Sequence, residues 1–399
     1  MEAVTQILFM VQWLLLAYFL VAGLYNFTYS LAGLFRKYSP DLKGLQPDKN
    51  FVVLIPGYKE DEVIVDTAAN AIQQNYPSDL YDVVVIADSF SEQTLKGLRE
   101  LPIRVIEVEF VQSSKAKSIN KVMEQLDGYD YVCILDADNI MEKNFLLKMY
   151  AVMDKGFKAV QGHRVAKNLE TSFSYLDAIS EEVNNHIFRR GHRALGLSSA
   201  LIGSGMAFDF ELFKRSMRHI DSFAEDKELE INLFRDNYKI EFVDGAYVYD
   251  EKVSQSKVFV KQRSRWVANQ FIYARMFFLQ SLKQLFKGNV DYFDKIFQYL
   301  LPPRVVLLGF VWIALILSLI FNPLQYSIYW MLVFLIANLA IAMAVPKKFW
   351  IARTLKHLIK LPWSFVLIIV SMMKFRQASK GFNPTPHSTG SGNIKNPEQ

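Results

Sequence analysis

Between Ala3 and Phe35 the chain carries no charged side chain. About thirty such residues suffice for one tilted membrane helix, and in lipid only a helix or a closed barrel satisfies its own backbone. Two further apolar runs follow much later, Val305–Phe321 and Gln325–Val345, joined by the uncharged turn Asn322-Pro323-Leu324. Arg36 and Lys37 close the first run, and Lys347, Lys348, Arg353, Lys356, His357 and Lys360 follow the last. Basic residues stay on the cytoplasmic side. The N-terminus and the Asn322 turn are therefore expected outside, and everything between the first and second runs inside. A cleaved signal peptide is the rival reading of the first run; Glu2 in place of a basic start, and an apolar stretch too long for a signal core, argue against it. Leu361–Met373 is apolar but short and fits a fourth span, a re-entrant segment or an interfacial helix. Lys374, Arg376 and Lys380 beyond it predict a cytosolic tail.

This plan divides the chain into an anchor (1–37), a cytosolic domain (50–250), amphipathic interfacial helices (251–298), a membrane hairpin plus short segment (299–376) and a flexible tail (377–399). Composition agrees. At 51% hydrophobic and 21% charged, the chain is too apolar for an ordinary soluble enzyme and too charged for a pure membrane bundle. Its net charge of +5 gathers near the C-terminal apolar runs, which suits an anionic membrane surface better than a nucleic-acid groove. No nucleic-acid-binding motif and no fixed-period repeat is present, so no nucleic-acid partner is expected. The one cysteine, Cys133, excludes an intrachain disulfide and fits a reducing compartment. An integral plasma or inner membrane protein with a cytoplasmic domain is expected.

The cytosolic domain reads as α/β. Phe51–Ile55, Val83–Ala87 and Tyr131–Leu135 are short apolar runs stopped by polar residues, the pattern of buried parallel strands. Ile103–Val108 alternates like an edge strand. Glu60–Gln74 and Ser113–Leu126 read as helices, giving a doubly wound, mostly parallel sheet. Beyond Phe145 the pattern becomes α+β: a short strand at Ala159–Gln161, a helix over Leu169–Ala194, a helix opening at Phe223-Ala224-Glu225-Asp226, and a strand at Ile240–Val243. Val258–Phe286 alternates aromatic with basic residues at helical spacing, as in a helix lying on a membrane; a core helix is the alternative.

Ligands of open α/β sheets sit beyond the carboxyl ends of the strands. Three such ends carry acids: Tyr58–Glu60, Asp88, and Asp136-Ala137-Asp138. Two hard oxygen donors one residue apart suit Mg²⁺ or Mn²⁺ holding a diphosphate, although an Asp-rich turn is equally common. Glu225-Asp226 is what any helix start favours through its dipole. His163, His186 and His192 lack metal-ligand spacing and read as structural or surface residues.

Asp88, Asp136/Asp138, Glu225-Asp226 and Gln262-Arg263-Ser264-Arg265-Trp266, in this order and spacing, resemble the membrane-bound processive glycosyltransferases of family 2, which include cellulose, chitin and hyaluronan synthases. The resemblance covers about Phe51 to Trp266 and the membrane anchors on both sides. It implies a GT-A type nucleotide-sugar-binding domain flanked by transmembrane and interfacial helices. It also implies inverting, metal-dependent transfer from a nucleotide-sugar, a UDP-sugar above all, to a growing polysaccharide. Pro56-Gly57-Tyr58-Lys59-Glu60 matches a Pro-x-Tyr-Asn-Glu turn that holds the base, with Lys59 in place of Asn. Asp88 matches the first nucleotide-contacting aspartate, in Ala87-Asp88-Ser89-Phe90 rather than Asp-Asp-Gly-Ser. Lys115-Ala116…Asn120 is similar to a helix start whose lysine faces the nucleotide; a solvated lysine is the alternative. Asp136 is expected near the ribose and metal, and Asp138 on Mg²⁺ or Mn²⁺. Glu225-Asp226 matches Glu-Asp of the family, with Asp226 as general base. Gln262, Arg265 and Trp266 match Gln-x-x-Arg-Trp, with Arg265 on phosphate oxygens and Trp266 under the acceptor sugar. Gly203-Ser204-Gly205 falls where relatives line the acceptor site. Transfer to a polyprenyl phosphate or other lipid acceptor is the alternative, and a non-catalytic sensor on the same fold is a third reading. Three spans are few for a channel, which leaves export to an oligomer or an exporter partner.

Overall fold

The structure is a computed structural model, and it describes residues 2–222, 224–252 and 256–373. The expected flexible tail, 377–399, and Phe223 lie outside the described residues.

A 33-residue helix, α1 (Glu2–Leu34), comes first. An irregular link then leads into β1 (Phe51–Tyr58), α2 (Ile64–Ala71), β2 (Tyr81–Asp88), α3 (Glu92–Arg99), β3 (Arg104–Val108), α4 (Lys115–Met123), β4 (Tyr131–Ile134), β5 (Ile140–Met141), α5 (Phe145–Met153) and β6 (Ala159–Ala166). Next are α6 (Ser172–Asn184), a π-helical segment (Asn185–Gly191), α7 (His192–Ala194), β7 (Met206–Asp209), α8 (Phe210–Met217), α9 (Glu225–Arg235) and β8 (Ile240–Asp250). The chain continues through α10 (Ser256–Phe286), α11 (Val290–Leu300), α12 (Arg304–Phe321), α13 (Leu324–Ala344), α14 (Ala352–Leu358) and α15 (Leu361–Met373).

The eight strands form one sheet in the order β3-β2-β1-β4-β7-β6-β8-β5. The β3-β2-β1-β4 half is parallel, as the apolar runs predict, with the alternating β3 at the edge. The other half is mixed. β7 enters antiparallel between β4 and β6, and β5 pairs antiparallel with β8, while β6 and β8 are parallel. The doubly wound reading of the strands up to Asp138 therefore holds, and beyond Phe145 the sheet is mixed, as the α+β pattern implies. The physical reason is the approach to β7, where Gly205 donates to Ile134 O and accepts from Gly162, so its backbone inserts between two strands. Cores lie on both faces, around Val52, Leu54, Phe208 and Phe213 on one and Val53, Ile55, Phe145 and Met149 on the other.

Among the described residues, three helices are long and apolar enough to cross a membrane: Phe9–Leu34, Arg304–Phe321 and Leu324–Ala344. They pack together around Phe19, Ala22, Leu307, Val311, Trp330 and Ala337. α15 has 13 residues, about 20 Å of helix, which is short of a hydrocarbon core about 30 Å thick. It packs against α10 and α12. α10 buries Val267, Ala268, Tyr273 and Ala274 and exposes Phe271, Ile272, Met276 and Leu279. It is thus half core helix and half apolar surface.

Candidate functional site

β1 and β2 run in register to their last residues, where Tyr58 lies beside Asp88. The next residue of each strand, Lys59 and Ser89, takes a left-handed backbone with φ of 55° and 61°. Non-glycine residues seldom adopt this, and Asn does so most readily, so Lys59 holds the conformation that the Asn of the resembled pattern would favour. The turn is closed by Lys59 N–H donating to Asp88 O at 3.1 Å. Ser89 Oγ donates to Asp88 Oδ1 at 2.9 Å, while Asp88 Oδ2 is buried with no partner among the described residues.

A cavity of about 1410 Å³ opens beyond these strand ends. Pro56, Tyr58, Glu60, Asp88, Lys115, Asp136, Asp138, Gly203, Glu225, Asp226, Gln262, Arg265 and Trp266 all line it. Ser204 and Gly205 do not. Ser204 is fully buried behind the wall, where its hydroxyl accepts from Asp136 N–H at 2.9 Å and donates to Asn139 at 2.7 Å. Ser204 and Gly205 thus hold up the Asp136 turn, and Gly203 alone of the three faces the cavity.

Ser114 caps α4 through Lys117 N–H and so aims Lys115, the first helical residue, inward. Its Nζ sits 2.5 Å from Asp136 Oδ1, 2.6 Å from Gly203 O and 3.4 Å from Glu225 Oε1. Burial alone would favour the neutral amine, but Asp136 and Glu225 outweigh it and hold Lys115 above its ordinary value. The solvated-lysine reading is thereby replaced.

α9 begins at Glu225 with no side-chain cap on Ala224, and Glu225 and Asp226 of its first turn line the cavity. Those two neighbours titrate apart. Burial, reinforced by Asp226 and Asp136, pushes Glu225 up. Asp226 is held below the ordinary carboxylate range, because Lys227 at 3.5 Å and Lys115 overcome its desolvation. Asp226 stands over Gly203, where a Cβ would lie 3.7 Å from Asp226 Oδ2.

α10 brings Gln262, Arg265 and Trp266. Gln262 Oε1 is buried with no partner among the described residues. Burial lowers Arg265, and Glu225 and Asp226 partly restore it. Trp266 remains 38% exposed, with Arg263 over its ring at 4.2 Å and Arg263 paired to Asp177.

Among the described residues no three His, Cys, Asp or Glu side chains form a closed metal cage. Mg²⁺ and Mn²⁺ are instead commonly held by one or two carboxylates together with substrate phosphates. Asp136 and Asp138, which line the same cavity as Asp88, fit that donor set.

A buried ion network along the same wall carries no local sequence signal. Arg164 pairs with Glu181 at 3.0 Å, Lys252 with Asp250 at 2.7 Å, and Lys295 with Glu230 at 2.8 Å. The three histidines are structural and buried: His163 meets Glu182 and Asp244 O, His186 meets Ser30 O, and His192 meets Asp294.

A profile of glycosyltransferase like family 2 matches residues 47–269. The chain is 27% identical over 293 residues to a probable glycosyltransferase, YdaM, of Bacillus subtilis, covering 69% of this chain and 67% of that one. It is 25% identical over 240 residues to the beta-monoglucosyldiacylglycerol synthase of Trichormus variabilis, covering 58% of this chain and 50% of the relative. Among solved structures, the mannosyltransferase PcManGT of Pyrobaculum calidifontis, in complex with GDP-Man and Mn²⁺, aligns over 92% of this chain and 98% of its own with a TM-score of 0.53 at 17% identity. That likeness is one of fold, a GT-A-like α/β sheet, and the family match spans more than half of the chain, so this protein belongs to the family 2 glycosyltransferases.

Proposed function

We propose that the chain transfers a sugar, with inversion, from a UDP-sugar to a hydroxyl of an acceptor at the cytosolic face of a membrane. The observation that carries this reading is the single cavity joining the strand-end carboxylates to the inner turns of three apolar helices. In it Pro56, Tyr58, Glu60 and Asp88 hold the base and ribose. Asp136 and Asp138 hold Mg²⁺ or Mn²⁺, which supplies neutralisation of charge on the departing diphosphate. Lys115, Arg265 and Gln262 donate to the same diphosphate. Asp226 takes the proton of the acceptor hydroxyl as that oxygen attacks the anomeric carbon, and the nucleoside diphosphate leaves on the opposite face. Trp266 stacks under the acceptor sugar.

Two acceptors remain in view. The Gln262–Trp266 series supports a growing polysaccharide. The extent of the cavity favours an acceptor carried on a membrane lipid. Its lining on the apolar helices is confined to Asn26 of α1, Arg304, Val305 and Leu308 of α12, and Asn338, Ile341 and Ala342 of α13. Residues 309–321 and 324–337, about 20 Å of each helix at 1.5 Å per residue, line none of it, so the path ends near the cytosolic leaflet.

Sizing the labelled product formed from UDP-sugars with Mn²⁺ separates the two: one sugar on an organic-soluble lipid, or long polymer. Absence of nucleoside diphosphate release with every common donor would remove the transferase reading. Asp138→Ala is expected to weaken Mn²⁺-dependent UDP binding at least tenfold by calorimetry, and unchanged binding would remove the metal assignment.

A further inference from the structure

Every basic side chain on the cavity wall described so far has a carboxylate partner or faces the donor acids. Arg304 is different. It is the first residue of α12, where the ion-lined part of the cavity meets its apolar arm. Among the described residues it makes no ion pair. Its Nη2 donates to Asn184 Oδ1 at 2.6 Å and Ser180 O at 3.3 Å, both neutral acceptors. Its guanidinium lies 5.3 Å from the centre of the Phe188 ring. Nη1 is buried and has no hydrogen-bond partner among the described residues. Glu181 is within electrostatic reach of Arg304 but is paired with Arg164 and Arg189, and a buried guanidinium that no carboxylate touches is costly. The first N–H groups of α12 add positive potential at the same point, since Pro303 gives them no side-chain cap. Arg189, also on the wall, lies within electrostatic reach of both Arg304 and Asp226. Arg304 and Asp226 line the same cavity. On the other side of Arg304 the wall is apolar: Val305, Leu308, Ile341, Val345, Leu361 and Ile368.

We infer that the cavity takes an amphiphile with an apolar tail in this arm, a phosphate diester bridging on Arg304 Nη1, and a hydroxylated headgroup that reaches Asp226. The phosphate supplies the direct ion-pair partner that Arg304 lacks among the described residues, and the planar fork of Arg304 suits phosphate oxygens. The tail replaces water against the apolar wall. The headgroup hydroxyl is then the acceptor oxygen, and only that hydroxyl needs a base; the phosphate is bound, not glycosylated. This rests on the transferase reading for the headgroup step alone.

The test uses the full chain in a non-ionic amphipol and radiolabelled dodecyl phosphate, the smallest probe with both features. Saturable retention is expected, with dodecanol and inorganic phosphate each competing at least tenfold less well. Arg304→Gln should weaken retention at least tenfold, and Arg304→Lys by less, while Mn²⁺-dependent UDP binding stays within twofold of wild type. Equal competition by dodecanol would overturn the phosphate site, and equal competition by inorganic phosphate would overturn the lipid source. Full retention by Arg304→Gln would overturn the residue. If Arg304→Gln does not fold, the comparison of competitors on wild type decides alone. A protein that binds UDP but not dodecyl phosphate refutes this inference and leaves the transferase reading intact. One that binds dodecyl phosphate but not UDP does the reverse.

Discussion

Asp226 and Glu225 are adjacent, both are enclosed, and their protonation is pushed in opposite directions. Pairs of this kind divide acid and base roles. Asp226, lowered by Lys227 and Lys115, is the one that is ionised and ready to accept a proton. Asp226→Asn keeps the shape and removes the base, so transfer should fall by about 10²–10⁴, with UDP affinity by calorimetry within twofold of wild type. Near wild-type turnover would end the assignment. The sign of the pH effect follows. Activity that needs ionised Asp226 is lost as pH falls through its depressed value. Removing the cation at 3.5 Å in Lys227→Met lets that value rise, so the acid limb of the kcat/KM profile should begin at higher pH. An unmoved limb would mean that another group controls it. At this scale the sequence was informative wherever chemistry depends on neighbours in the chain, as at Asp136-Ala137-Asp138 or Glu225-Asp226. It was silent on Arg304, which reads locally as an ordinary basic flank of a membrane span. Only packing against Asn184 and Phe188 reveals that no carboxylate among the described residues pairs with it.

Helical periodicity predicts one helix over Leu169–Ala194, and the chain does stay helical there. The π-helical turn at Asn185–Gly191 was not legible, because its extra residue answers to α1, more than 150 positions away in sequence. Within it His186 meets Ser30 O at 2.8 Å, and the following His192 stacks on Tyr29 at 3.7 Å. Two glycines permit the approach: a Cβ on Gly191 would lie 2.1 Å from Tyr29 O, and one on Gly33 would lie 2.7 Å from His186 Nε2. The first contact is with backbone, which cannot step aside. Overpacking of this kind costs about 1–3 kcal/mol. Gly191→Ala should therefore lower the Tm of the detergent-solubilised protein by several degrees, whereas alanine at Gly128, where nothing lies within 4 Å but φ is positive, should cost less. Equal losses at the two sites would mean that α1 is not seated on this turn. β8 shows the same limit in another form. Ile240–Val243 was readable as a strand, but its continuation to Asp250 depends on pairing with β6 past a bulge at Gly162.

At the scale of the molecule, the question is what covers α1, α12 and α13. No more than 33% of any of these three apolar windows is buried within the protein, and Leu14, Ile316 and Leu335 are among the large side chains left open. Patches of this size on a protein surface call for a partner or a bilayer. A bilayer fixes the geometry further. In the proposed orientation, with basic residues inside, α1 would enter the cytosol at Arg36, α12 would leave it at Arg304 and α13 would return at Lys347, so the candidate cavity and the Arg304 end of α12 would share one side. The chain offers a clean test, because its one cysteine, Cys133, is fully buried in β4 and should stay silent to a membrane-impermeant maleimide. In sealed vesicles of known orientation, Lys43→Cys in the link before β1 should label from the cytosolic side only. Leu324→Cys, in the turn between α12 and α13, should label from the opposite side only. Labelling of both from the same side would refute the three-span arrangement, and with it any acceptor path that runs from the cytosolic leaflet to Asp226.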